Sequence, residues 1–481
     1  MLTFFTNIFL SLLLFNNVGT THTTSLPVAG GYKIHVKVNG VVTGDTCYLA
    51  HYYGQYKQID DTCVSNAKGE TFFDGKKELP KGIYFIVIPK KKYFDFIVND
   101  ALEIWFETDT ADLVKNMKVK GSIENKSFYE YLNYIMSNQS IFDKLKAKQE
   151  ALKDNKDSAD IIKKEMERID NAVKDYKLDF MKKYPESLAT KVFMASKEPD
   201  IPEAPILSNG RKDSTFTYLY YKAHYWDNID LTDDRILRTP VFYNRLNYFF
   251  DKVVVQSPDS ICAEADKLVA KVKSSKEMFK YVVWYITYTF ETSKVMGFDA
   301  VFVHMVETYY MTKQCDWLSD VLLENISKRA MKLKPILLGK TAPNMIMQDT
   351  SLQLQSMETI TTKYTVLLFW DYNCGHCKAE MPKIVELYNK EKKLYDLEVF
   401  SICTDTSMVE MKKFIRLNKM NFINVDGPRA LTPHYAELYD IYSTPVIYVL
   451  DEKKTIIAKR IDAEQIEEII KHDLKIKEMK K

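Results

Sequence analysis

The sequence predicts a multi-domain chain: an N-terminal antiparallel β-sandwich, an all-α middle domain and a C-terminal α/β domain. Three hydrophobic periods along the 481 residues predict it. Apolar and polar residues alternate over 31–120, apolar residues recur every three or four positions over 121–335, and short apolar runs alternate with helical stretches over 336–477. A length prior of about one domain per 100–200 residues also asks for several cores.

Ahead of these regions, MLTFFTNIFLSLLLFNN carries an apolar run from Ile8 to Phe15 followed by small and polar residues. The run is too short to span a bilayer comfortably and reads as a secretory signal peptide over residues 1–24. Its first segment has no Lys or Arg, the first Lys being Lys33, and no Cys follows before Cys47, so a lipoprotein cysteine is absent. The mature chain is therefore expected to be periplasmic and not membrane-spanning. With 67 basic and 65 acidic residues spread evenly, for a formal charge of +2, it has no basic patch for nucleic acid or an anionic membrane. The abundant Tyr (31) and Phe (26) sit at alternating or helical spacing, which reads as core rather than as a sugar-stacking surface.

In the first region the runs YKIHVKVNG, CYLAHYYG, GETFFDG, GIYFIVIP, YFDFIVND and LEIWFETD are separated by turn residues, as in a sandwich or small barrel. They contain neither a metal triad nor a nucleophile. In the middle region, KSFYEYLNYIMSNQSIFDKL and ADIIKKEMERIDNAVKDYKLDFMKKY keep the helical period, and SKEPDIPEAPILSNGRKDS (196–214) divides it into two helical groups. His304 and Glu307, at i and i+3, have a metal-ligand spacing. Without a second such pair, a core histidine is the better reading.

In the C-terminal region, Gly339-Lys340-Thr341 imitates the end of a phosphate loop, but the motif needs Gly at 334, which is Lys. Beyond it TVLLFW, LEVFSI, PVIYVL and TIIAKR read as strands, with a final hairpin, and KAEMPKIVELYNKEKK as a helix.

Seven cysteines are too few for a disulfide scaffold in a chain of this length, and the odd count leaves one thiol free. If the runs around HYYGQYKQ form a hairpin turning near Gly54–Tyr56, Cys47 and Cys63 lie symmetrically about residue 55 and face each other, either as a bridge or as two thiols. Cys374 and Cys377, in FWDYNCGHCKAEMP, follow a strand and a short turn. The first thiol sits at a helix N-terminus, where unpaired N–H groups and the helix dipole favour the thiolate, and the second is one turn on, within bonding reach. Cys374 can attack and Cys377 can resolve. A zinc site would need a second Cys or His pair, whereas Cys403 stands alone. A peroxidase of the related TxxC type would need a Thr where Trp or Asp stands.

With GKTAPNM before the first strand, FW before the turn, CGHCKAEMP, and STPVIYVLD some seventy residues on, the stretch from Ile336 onward resembles the thioredoxin fold. Within that fold it resembles the exported TlpA-like thiol-disulfide oxidoreductases. The resemblance implies a cis bond between Thr444 and Pro445 packed against the cysteine pair. It also implies a role for Glu380, whose spacing from Cys377 suits a carboxylate that handles that thiol's proton. Trp370 belongs to the family's FW. Asn373 replaces the Trp that usually precedes the first Cys, and Leu367 and Leu368 replace an acid that thioredoxins bury. Gly375-His376 matches protein disulfide isomerases, and a His⁺ beside the thiolate would make the couple more oxidising. The two preceding regions resemble accessory domains of unknown function found ahead of thioredoxin domains in exported proteins.

The expected activity is a periplasmic thiol:disulfide oxidoreductase with no cofactor beyond its redox-active disulfide. Its expected partners are cysteine-containing exported proteins and a membrane electron donor or oxidant. The competing reading is an envelope binding or scaffold protein whose thioredoxin-like domain is structural.

Overall fold

The computed structural model describes residues 31–152 and 155–479. The expected signal peptide lies outside them. The chain divides into two compact units, one comprising residues up to Val254 together with Lys271–Met278, the other Val255–Ala270 and Phe279 onward.

The first unit opens with strands β1 (Tyr32–Asn39), β2 (Thr46–Tyr53), β3 (Tyr56–Val64), β4 (Glu70–Gly75), β5 (Gly82–Ile88), β6 (Lys92–Val98), β7 (Glu103–Asp109) and β8 (Lys118–Lys120). They form two four-stranded sheets, ordered β4-β1-β7-β8 and β3-β2-β5-β6. Ile34, Val36 and Val38 of β1 and Ile104 and Phe106 of β7 are buried, and the Phe106 ring meets those of Phe94 and Phe96 from the other sheet at 5.6 and 5.1 Å. These alternating positions are the ones that predicted the sandwich. One expectation fails, because β1 and β7 run parallel and the β-region is not wholly antiparallel. A period of two tells which residues face the core but not which strand lies alongside.

The sheet is closed by helix α1 (Ile123–Ala151), whose N-cap Ser122 accepts from the Asn125 N–H. β6 is an edge strand, and an edge exposes unpaired main-chain groups. The Asn125 side chain accepts from Ile97 N at 2.7 Å and donates to Ile97 O at 2.6 Å, while Tyr129 donates to Asp95 O at 2.7 Å. Two helical side chains thus replace a missing strand. Helix α2 (Lys156–Lys183) packs on α1, with Tyr134 and Tyr176 stacked at 3.9 Å. Helices α3 (Leu188–Ala195), α4 (Phe216–His224) and α5 (Pro240–Tyr248) follow, with the Pro-rich 196–214 segment outside any helix.

The second unit joins helices α6 (Pro258–Val272, largely), α7 (Lys276–Glu291, largely), α8 (Asp299–Met305) and α9 (Asp320–Leu333) to a mixed α/β sheet. Its strands are β9 (Ile346–Asp349), β10 (Leu354–Ser356), β11 (Tyr364–Trp370), β12 (Leu397–Cys403), β13 (Ile423–Ala430), β14 (Val446–Leu450) and β15 (Ile456–Lys459), in the order β10-β9-β13-β12-β11-β14-β15. β11, β12 and β13 are parallel, and β14–β15 is the antiparallel hairpin. The helices interleaved with these strands are α10 (Gly375–Tyr395), α11 (Met408–Asn418), α12 (Tyr435–Leu438) and α13 (Gln465–Met479). β11 is buried along its whole length because both faces are covered. One face packs Val366, Leu368 and Trp370 against Cys377, Met381 and Ile384 of α10. On the other, Phe369 meets Tyr435, Tyr439 and Tyr448.

Gly339-Lys340-Thr341 forms a turn against β15, with Gly339 at φ 77°, Gly339 N donating to Ile456 O and Ile456 N to Lys340 O, so its main chain is spent on these bonds and not on a phosphate. His304 bonds Asp266 at 2.9 Å and Glu307 bonds Lys334, a pair of separate contacts. Among the described residues no group of three His, Cys, Asp or Glu could hold a metal ion, and no helix is long and apolar enough to cross a membrane.

Candidate active site

The buried run of β11 ends at Trp370, and the next four residues turn the chain into α10 with Cys374 as its N-cap. Hydrogen bonds latch that turn. Asn373 N donates to Asp371 Oδ1 at 2.6 Å, the Asn373 side chain donates to Asp405 Oδ2 at 2.8 Å, and the Tyr372 hydroxyl accepts from Ser407 N at 3.3 Å. Asn373, at the position where the family's Trp would stand, therefore ties the turn to the loop after β12. Sequence reasoning passed over Asp371, Asp405 and Ser407, although TDTS directly after a buried strand is a recognisable polar turn.

The capping position decides the chemistry of Cys374. Its Sγ accepts from the Cys377 N–H at 3.4 Å, and as a thiol donates to the Thr444 carbonyl at 3.2 Å. Burial alone would push its pKa up. Hydrogen bonds from the main chain of Cys377, the Cys377 thiol, the Thr444 side chain and the main chain of His376 outweigh that and hold the thiol below its ordinary range. Cys377 differs although it lies only one turn away. It is 1% exposed, and burial pushes its pKa up to about 11, with the neighbouring Cys374 adding to the rise. An accessible, acidic thiol thus stands before a sealed, basic one. Both are free thiols in this structure.

Thr444–Pro445 is a cis peptide bond. The Thr444 carbonyl lies against Cys374 Sγ. Of the other residues singled out from the sequence, His376 is exposed and supplies its main-chain N–H to Cys374. Trp370 is fully buried, donates to Ser401 Oγ at 2.6 Å and stacks on Phe414 at 4.8 Å, a core position beneath the turn. Both oxygens of Glu380 are engaged, by Lys383 at 2.8 Å and Ala463 N at 3.1 Å. Burial pushes its carboxyl up, but these bonds hold it below the ordinary glutamate range. Cys403 faces Trp370 across β11–β12, wholly buried, with burial pushing its thiol up to about 12. It forms no second cysteine pair.

Residues 338–459 match the family described as AhpC/TSA. The C-terminal third of the chain is a thioredoxin-fold domain of the AhpC/TSA family. Residues 32–128 and 152–333 match two families described as domains of unknown function, DUF4369 and DUF5106. The thiol-disulfide oxidoreductase ResA of Bacillus thuringiensis subsp. konkukian is 26% identical over 139 residues, 29% of this chain and 77% of that protein. A domain of a possible thiol-disulfide isomerase from Cytophaga hutchinsonii is 39% identical, covering 30% of this chain and 97% of that one, with a TM-score of 0.28. A thioredoxin-like protein from Bacteroides caccae is 17% identical, with 56% and 98% covered and a TM-score of 0.43. The thioredoxin-fold domain is of the thiol:disulfide oxidoreductase type. It lacks the peroxidase TxxC arrangement, since Asp371 stands three residues before Cys374.

Proposed function

We propose that the protein is an exported, periplasmic thiol:disulfide oxidoreductase that exchanges a Cys374–Cys377 dithiol or disulfide with cysteine-containing exported proteins. The observation that carries this reading is the asymmetry of the pair, an accessible thiol of lowered pKa capping α10 and a buried one of raised pKa a turn later. In the reducing direction, the Cys374 thiolate attacks one sulfur of a substrate disulfide. The substrate S–S bond breaks, a Cys374–substrate mixed disulfide forms, and the departing substrate thiolate takes a proton from solvent. Cys377 then loses its proton and attacks Cys374 Sγ, releasing the second substrate thiolate. Two electrons pass to the substrate, and the enzyme is left as the Cys374–Cys377 disulfide. The reverse sequence oxidises a substrate dithiol.

Cys374 initiates because its thiolate is the more populated, and the buried Cys377 is protected from outside reagents until the mixed disulfide brings a leaving group to it. Thr444 and Pro445 pack beside the nucleophile, with the Thr444 carbonyl on Cys374 Sγ. Trp370 and Glu380 serve the framework, one below the turn and one by tethering α10 to Ala463. No cofactor enters the scheme. A membrane electron donor or oxidant would reset the couple.

Mixed-disulfide trapping tests the proposal. Cys377→Ser is expected to accumulate covalent adducts with substrate proteins that carry a disulfide, and Cys374→Ser to form none while losing insulin reduction. Adducts retained in Cys374→Ser would refute the assignment.

A further inference from the structure

Beside the thiols, a helix of the middle region reaches the loop that carries Thr444. Tyr442 precedes Thr444 by two residues, so its Cα lies within about 7 Å of the residue whose carbonyl touches Cys374. The residue is 71% exposed, and two cations of α9 stand over its ring, Lys332 Nζ at 4.5 Å and the Arg329 guanidinium at 5.6 Å from the centroid. Lys332 Nζ also donates to the Tyr442 hydroxyl at 2.9 Å. That oxygen is therefore an acceptor towards α9, and its own hydrogen has no acceptor among the described residues. A free O–H donor and an ammonium stand side by side at the surface.

The charges around them leave an excess of cation. Asp440 and Glu291 face Arg329, Lys332 and Arg460. The Asp440 carboxylate is fully buried and already bonded to both guanidinium groups, at 2.8 and 2.7 Å, and Lys332 reaches it only at 3.8 Å. A carboxylate from outside can accept from an ammonium and a hydroxyl at once, and such charge-assisted bonds are stronger than those to a neutral amide.

We propose, on the thiol-exchange reading given above, that Tyr442 and Lys332 recognise an acidic side chain close to the cysteine of a substrate protein. A substrate segment joined to Cys374 and running extended advances about 3.3 Å per residue, which brings an Asp or Glu about one to three positions from its cysteine within reach of the Tyr442 hydroxyl. Both residues determine specificity and neither takes part in the sulfur chemistry. Lys332 belongs to the region 152–333, so the middle domain has a share in choosing what the thiol pair acts on.

The test uses the whole mature chain in its dithiol form and short peptides whose single cysteine is carried as a 2-pyridyl disulfide, with one Glu or one Gln at each nearby position in turn. Release of 2-thiopyridone gives the rate of attack by Cys374. At the best position the Glu peptide is expected to react about fivefold faster than its Gln twin, the upper end for an exposed charged pair. Lys332→Gln and Tyr442→Phe are each expected to bring that ratio towards one, and Lys332→Glu to favour a Lys peptide instead. The ratio is taken within each variant, so a general change in reactivity cancels. Equal rates for Glu and Gln at every position, or an undiminished ratio in Lys332→Gln, would overturn the proposal. Failure to react with any peptide is a different result, and would overturn the thiol-exchange reading together with it.

Discussion

Arg329 of α9 donates to Oδ1 of Asp440 at 2.8 Å, while Arg460 holds Oδ2 of the same carboxylate at 2.7 Å. The Asp440 side chain is fully buried, and its residue begins the loop that ends at Thr444 and Pro445. A helix of the middle region and the end of the hairpin thus clamp the segment whose carbonyl touches Cys374. The tie is reinforced by Lys459, which donates to Ile336 O and pairs with Asp299 of α8.

Replacing Asp440 by Asn leaves two guanidinium groups, both partly open to water, facing a neutral buried partner. Losing the charge from hydrogen bonds of this kind costs about 1–3 kcal/mol. Asp440→Asn is expected to lower the urea midpoint accordingly and to slow alkylation of Cys374 as the Thr444 loop loosens. Unchanged stability would show that Asp440 does not hold the loop.

The two active-site thiols titrate in opposite senses, and the signs give a pH signature. The pKa of Cys374 is lowered on folding, so its contribution to stability is present above the ordinary thiol value of 9.0 and is lost as pH falls through its folded pKa. That of Cys377 is raised to about 11, so its contribution is present below the unfolded value and is lost as pH rises towards 11. The disulfide form has neither titration. The unfolding free energy of the dithiol form relative to the disulfide form is therefore expected to rise with pH up to the region of 9 and to decline beyond it. Denaturant titrations of both forms across that range check it, and a flat difference would remove the asymmetry.

His376 contributes to Cys374 through its main-chain N–H, which a proline lacks. His376→Pro sits in the first turn of α10, where proline is tolerated. It is expected to weaken the thiolate and make the couple more reducing by about 30 mV, ~1.4 kcal/mol for two electrons. His376→Ala keeps the N–H and separates this effect from that of the imidazole. Equilibration against glutathione measures both.

Cys47 and Cys63 are direct partners across β2 and β3, and both are free thiols. Mild oxidation with diamide is expected to join them and close a loop of roughly 16 residues, stabilising the β-region by about 3 kcal/mol, an increment that Cys63→Ser abolishes. Recovery of both cysteines as alkylated peptides after oxidation would exclude the bridge.

That pair shows how far the sequence could be read. Symmetry about residue 55 placed Cys47 opposite Cys63, but the hairpin turns on Gly54 and Gln55, pairing Tyr53 with Tyr56. Gly54 takes the positive φ of 58° that such a tight turn asks for. Carried straight down the strands, this register would set Cys47 against Thr62. A bulge between Leu49 and Ala50 on one side and Ile59 and Asp61 on the other inserts Asp60 and restores the cysteine pairing.

CGHC and STP were legible because their chemistry is local, within one turn or one peptide bond. β13 was not, since INVDGPRA carries Gly427, Pro428 and the buried Asp426, which pairs with Arg429, and so breaks the apolar pattern of an interior strand. The Asp440 clamp joins three segments far apart in sequence, and no spacing announces it.

β1 lies between β4 and β7, and both of those neighbours come later in the chain. A polypeptide that appears N-terminus first therefore presents β1 with two open edges until β4 has followed, and with one still open until residue 109 has followed. The parallel partner cannot be supplied by a tight turn, so the ladder closes only through contacts distant in sequence. Assembly of the β-region is then a late event, gated by the arrival of β7. Until that strand docks, β1 is the segment most open to pairing with a neighbouring chain.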